Sequence, residues 1–184
     1  MAPDEPRLAE QIRDAALLQG DFVLRSGRRS SYYLDKFRFE TRPDLLGPLG
    51  QTIAEAVRRH EPDAVRIAAP VLGAVPLAAA ASLAGGLPIV NVRDKAKEYG
   101  TANRLEGVYE EGERVCLVED VVTSGGAALE AVDALREAGL RVCTAICVVD
   151  REEGGVDALA RHAVRLWPLF TASDLLKAPA NRLG

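Results

Sequence analysis

The sequence is short of the residues that most often announce a site. It has two histidines, His60 and His162, each in a polar, helix-like stretch that suits a surface residue, and this points to neither a histidine metal centre nor a histidine base. Its three cysteines, Cys116, Cys143 and Cys147, form no CxxC pair, so they read as core thiols of a reducing compartment. The most apolar run, residues 74–87, is interrupted by Pro76, Gly85 and Gly86 and is too short to span a bilayer. No charged-apolar-small signal pattern opens the chain, which makes the cytoplasm the expected location and a membrane no partner. A net charge of −4 and a pI near 5.3 argue against a broad nucleic-acid surface, although a local anion site remains compatible with them. Lysine is scarce too, with four against 19 arginines. Repeats, low-complexity tracts and linkers are absent, and 48% hydrophobic content over 184 residues suits one globular domain, 1–184.

What is present centres on residues 114–138, RVCLVEDVVTSGGAALEAVDALREA. Val115, Cys116, Leu117 and Val118 suit a strand buried on both faces of a parallel sheet. The acids Glu119 and Asp120 follow, then Val121, Val122, a Thr123-Ser124-Gly125-Gly126 turn, and a helical stripe of Leu129, Val132 and Leu135 that stops at Gly139. Loops at the carboxyl ends of parallel strands hold ligands, and a helix beginning there aims unpaired N–H groups at an anion. Small residues let backbone wrap a phosphate, but no Gly-Lys-Ser/Thr ending is present, so this is not the nucleotide P-loop. The carboxylates would repel phosphate yet accept hydrogen bonds from hydroxyls or face a bound Mg²⁺. A phosphate beside a polyol means a phosphosugar. An acidic pair alone would fit an ordinary strand-to-helix turn; the order of apolar run, acid pair, small turn and helix is far more specific.

Elsewhere, Leu8, Ile12, Ala15, Ala16 and Leu18 predict a helix ending near Gly20, followed by a β-rich segment DFVLRSGRRSSYYLD. Residues 43–60 predict an amphipathic helix through Leu45, Leu46, Leu49, Ile53 and Val57. Strands are expected at 65–68, 89–92, 142–149 and 164–169, a small-residue helix at 74–83, a short helix at 171–177 capped by Thr171 or Ser173, and a polar, basic loop at 93–107. The expected class is α/β, a mainly parallel sheet flanked by helices, with a core sheet over about 60–170 and a small hood over about 1–40.

The segment VCLVEDVVTSGGA resembles the phosphoribosyl pyrophosphate (PRPP) motif of the type I phosphoribosyltransferases. Phe22, Leu24, Arg25, Ser26 and Gly27, then Ser30, Ser31, Tyr32 and Tyr33, resemble the hood of the orotate phosphoribosyltransferases, with Arg25 where Lys is usual and Ser31 where Pro is frequent. Arg93, Lys97, Tyr99 and Gly100 resemble that family's mobile catalytic loop, with Asp94 replacing a Lys that contacts pyrophosphate; Leu72 and Gly73 stand where some members have Tyr and Lys. Asp150-Arg151 resembles a segment whose Arg meets the base.

The resemblance implies transfer of the 5-phosphoribosyl group from PRPP to orotate, giving orotidine 5′-monophosphate and pyrophosphate in pyrimidine biosynthesis. It implies Lys97 and Asp120 as catalytic. PRPP would be held by Arg25, Arg93, Lys97, Tyr99, Glu119, Asp120, Val121, Val122, Thr123, Ser124, Gly125, Gly126 and Ala127, and orotate by Thr123, Arg151 and Tyr33. Mg²⁺ would be held mainly through PRPP, with no direct protein ligand, and a homodimer would share the 93–107 loop between subunits. A phosphoribosyltransferase for another base, such as a purine, or a non-catalytic PRPP-binding regulator are the alternatives.

Overall fold

The computed structural model describes residues 5–23, 27, 29–94 and 104–177. In chain order the elements are α1 (Glu5–Ala16), β1 (Leu17–Val23), β2 (Arg29–Leu34), α2 (Phe37–Glu40), α3 (Pro43–His60), β3 (Arg66–Pro70), α4 (Ala74–Gly85) and β4 (Ile89–Val92). They continue as β5 (Leu105–Glu106), β6 (Arg114–Val122), α5 (Gly126–Glu137), β7 (Arg141–Asp150), α6 (Gly155–Arg161), β8 (Arg165–Thr171) and α7 (Ala172–Lys177).

Six strands form one sheet in the order β5-β4-β3-β6-β7-β8, parallel throughout except for the short edge strand β5. The class is therefore α/β with a mainly parallel sheet between helices, as expected. Both faces are buried because alternate residues of each strand serve different cores. Cys116 and Val118 of β6 join Leu45, Leu49 and Ile53 of α3 and Leu77 of α4 on one face. Val115 and Leu117 join Val132 and Leu135 of α5 on the other. From β3 the chain turns through α4 to β4 on one side, then later lays β6 on the opposite side. That reversal opens a crevice beyond the carboxyl ends of β3 and β6, where open parallel sheets bind ligands.

The N-terminal segment adds a separate two-stranded antiparallel sheet, β1 with β2, pairing Leu17 with Leu34 and Val23 with Arg29. The expected first helix stops at Ala16, and Leu18 belongs to β1: Leu8, Ile12 and Ala16 already complete the buried stripe of α1. Two further expectations are corrected. Cys143 is exposed, because the alternation at the start of β7 turns it outward, while Cys116 and Cys147 are buried. His60 is not a bare surface residue; its ring stacks on Trp167 at 3.9 Å. Helix α7 is capped as its sequence suggests, with Asp174 N–H donating to Thr171 Oγ1. Among the described residues no helix is long and apolar enough to cross a membrane.

Candidate active site

Strand β6 brings Glu119 and Asp120 to the crevice while still part of the sheet, so the acids lie within the strand, which runs on through Val122, instead of following it. Both are buried, at 6% and 4% exposure. Asp120 Oδ1 accepts the Val121 N–H, and Asp120 Oδ2 accepts a hydrogen bond from Lys36 Nζ at 2.5 Å. Lys36 arrives from the start of α2, whose Phe39 and Glu40 are buried as anchors.

The turn after β3 presses against this pair. A Cβ on Gly73 would lie 1.8 Å from Asp120 Oδ2 and 2.9 Å from Lys36 Nζ, so the turn can approach only because position 73 carries no side chain. The result is a cleft of about 150 Å³ lined by Lys36, Gly73, Arg93, Asp94, Asp120 and Glu130, among others. On its far side the Arg93 N–H donates to the Arg104 carbonyl, and Arg93 Nη1 lies 3.4 Å from Glu106 Oε1.

Electrostatics divide the carboxyls. Burial first, and the Asp120 charge second, push Glu119 up to about 8. The same two causes push Glu40 up to about 8. For Lys36, burial alone would lower proton affinity, but the hydrogen bond and charge of Asp120 outweigh it and hold the ammonium above its ordinary value. The site thus presents a Lys36–Asp120 ion pair flanked by two carboxyls that keep their protons at neutral pH.

Glu40 has a further consequence. It is 1% exposed, and neither side-chain oxygen has a hydrogen-bond partner among the described residues. Asp120 and Asp35 disfavour its ionisation and Lys36 favours it. Between its ordinary 4.5 and about 8, the unfolded chain releases this proton while the native state keeps it, so stability falls as pH rises through that window. Each tenfold change in proton affinity is worth about 1.4 kcal/mol. Glu40→Gln should therefore melt with wild type near pH 5 and at least ~3 °C above it at pH 8.5. Melting curves across pH check this, and a constant gap would refute it.

Beside the cleft, the phosphate-type loop is open. Thr123, Ser124, Gly126 and Ala127 are exposed, and Gly125 takes φ +85° as α5 begins at Gly126. No side chain caps the first turn of α5, which leaves its N–H groups facing outward. The segment after β7 packs closely on this loop: a Cβ on Gly155 would lie 2.4 Å from Val122 Cγ1, and the Arg151 N–H donates to the Val122 carbonyl at 2.8 Å. The Arg151 side chain is only 8% exposed. It bridges Glu153 at 3.2 Å, its carbon Cζ lies 4.9 Å from the Tyr32 ring centroid, and its buried Nε has no partner among the described residues.

Of the residues singled out in the sequence, Arg93, Glu119, Asp120, Val121 and Ala127 line one cleft, with Val122 to Gly126 and Arg151 adjoining it. Tyr33 does not join Arg151: it is 43% exposed and packs on Phe22 at 5.6 Å, while strand alternation turns Tyr32 to the guanidinium. Arg25, Lys97 and Tyr99 lie outside the described residues. Sequence reasoning missed Lys36, Glu40 and Arg104. The scarcity of lysine was a usable signal for the first, which follows directly on the Tyr32-Tyr33 strand.

No protein-family model matches the chain. It is 48% identical over 172 residues to an orotate phosphoribosyltransferase of Halobacterium salinarum, covering 93% of this chain and 96% of that protein. A second, from Methanocella arvoryzae, is 44% identical over 173 residues, covering 94% and 97%. The crystal structure of Mycobacterium tuberculosis H37Rv orotate phosphoribosyltransferase in complex with PRPP superposes with a TM-score of 0.79 at 31% identity, covering 94% of this chain and 99% of that one.

Proposed function

The chain belongs to the orotate phosphoribosyltransferase family, and from that premise we propose which of its residues carry the reaction. It is a pentosyltransferase that moves the 5-phosphoribosyl group of PRPP to orotate, giving orotidine 5′-monophosphate and pyrophosphate in pyrimidine biosynthesis. The observation that carries the assignment of roles is the convergence, at one sheet edge, of a buried acid pair, an uncapped helix start and a buried guanidinium.

In this reading the exposed loop Thr123, Ser124, Gly125, Gly126 and Ala127 holds the 5′-phosphate on the first N–H groups of α5, whose partial positive charge favours an anion. Glu119 and Asp120, with the adjoining Val121 and Val122 backbone, receive the ribose hydroxyls: neutral Glu119 can donate as well as accept, and Asp120 accepts. As the C1–O bond breaks, the ribosyl ring gains positive charge and the diphosphate gains negative charge. A fixed carboxylate below the ring and cations around the diphosphate stabilise both without moving. Arg93 supplies one such cation, and Arg25, Lys97 and Tyr99 are assigned to PRPP by resemblance. Arg151, with Tyr32 on its face and Thr123 close in sequence to its backbone partner Val122, meets the orotate carboxylate or carbonyls through its planar fork.

Among the described residues no group of three or more His, Cys, Asp or Glu could hold a metal ion. With Asp120 engaged by Lys36, the donors present fit a Mg²⁺ carried by the diphosphate and ribose hydroxyls, where it would offset the charge of the leaving group. The reading extends to a cytoplasmic homodimer in which the 93–107 loop reaches the partner's site.

The test is pyrophosphate release from PRPP over a panel of bases. Release that requires orotate is expected. Release with adenine, hypoxanthine or guanine and none with orotate would overturn the assignment of the base.

A further inference from the structure

We propose that Lys36 is a substrate-contacting residue, which pairs with Asp120 in the structure and passes to the diphosphate of the phosphosugar when the ribose hydroxyls claim Asp120. The inference rests on the phosphosugar reading of the cleft. Lys36 caps the start of α2, and the buried Phe39 and Glu40 fix that short helix to the core, so its backbone is anchored while its half-exposed side chain reaches into the cleft. A lysine is a point charge on four methylenes with three donors, suited to changing partners over a few ångströms. Its side chain is 37% exposed where it lines the cleft, whereas Asp120 beneath it is almost fully buried.

The charge inventory of the cleft gives the ammonium its task. Its lining includes the acids Asp94, Asp120 and Glu130 beside the protonated Glu119, and three cations, Lys36, Arg93 and Arg104. The two arginines share one side, where Arg93 faces Glu106 and Arg104 Nε donates to the Arg93 carbonyl. Lys36 is the one of those cations that is paired to Asp120, and the turn after β3 has no side chain at Gly73 to block it: a Cβ there would come within 2.9 Å of Nζ. A diphosphate beside Asp120 would face that buried carboxylate at close range, and Lys36 is the cation already set against it. The hydroxyls of the ribose are neutral donors to Asp120, so they can replace the ammonium there without leaving the carboxylate unpaired.

A role as mere counter-ion to Asp120 makes a different prediction. Calorimetric titration of the full chain with pyrophosphate and Mg²⁺ separates the two, using Lys36→Met to keep the stem and Lys36→Arg to keep the charge. Lys36→Met should weaken pyrophosphate binding by at least ~10-fold, as expected for loss of a hydrogen bond to a charged group. Lys36→Arg should recover part of that loss, and the KM for orotate should change less than about twofold. The decisive measurement repeats Lys36→Met in an Asp120→Asn background, where no carboxylate charge needs neutralising. Loss of similar size in both backgrounds supports the proposal. Loss that vanishes with Asp120→Asn, or none in a Lys36→Met protein that melts like wild type, overturns it. Failure of wild type itself to bind pyrophosphate would instead overturn the phosphosugar reading.

Discussion

Asp120→Asn is expected to lower kcat by about 10²–10³-fold in a protein that still folds, the scale of losing one preorganised electrostatic contact to a transition state. The carboxylate is buried near the end of β6 and held by Lys36 and the Val121 N–H, so its position owes little to its own flexibility. Asparagine keeps the volume and an oxygen for Lys36, but it removes the negative charge that faces the ribosyl ring as the ring becomes cationic. Because the lost interaction strengthens only in the transition state, kcat should fall much more than KM for PRPP rises. Steady-state kinetics with a matched melting curve decide the matter: near-wild-type kcat in a folded variant would remove Asp120 from the chemistry.

Arg151→Ala should raise the KM for orotate by about 10–100-fold, the worth of a charge-assisted contact, and leave the KM for PRPP within about twofold. The guanidinium is buried, stacked over Tyr32 and held by Glu153, and its Nε has no partner among the described residues. A buried donor left without a partner is costly, and a planar ligand acceptor would repay that cost. The phosphate-type loop should survive the change, because the Arg151 link to it runs through its backbone N–H and not its side chain. Arg151→Lys should recover little, since a point charge cannot reproduce the fork or the stacking. Equal effects on both substrates would move Arg151 out of the base pocket and would make it a support for the loop.

Much of this molecule was legible in one dimension. The helix expected over 43–60 is α3, Pro43–His60, and the strand expected over 89–92 is β4, Ile89–Val92, because Pro43 and the apolar spacing mark the one and β-branched residues the other. The order of strand, acid pair, small turn and helix in β6 and α5 is equally local. Periodicity failed where two periods fit the same residues: Leu17 and Leu18 can continue a helical stripe or begin a strand, and pairing of Leu17 with Leu34 decided for the strand. Helix α6 was missed because seven residues that begin at the second of two glycines carry too short a pattern to read.

The sequence by itself therefore determined the parallel α/β core and the carboxyl-edge site on β6, since buried strands, helix stripes and glycine turns are written in neighbouring residues. Only the tertiary structure decided the site's charge partners. Lys36 and Asp120 are 84 residues apart, and their contact depends on how α2 docks across the end of β6 and on the close approach of Gly73. It also decided which of two adjacent tyrosines covers Arg151, because alternation along a strand puts Tyr32 and Tyr33 on opposite faces, and only the docking of the hood selects the face that looks inward.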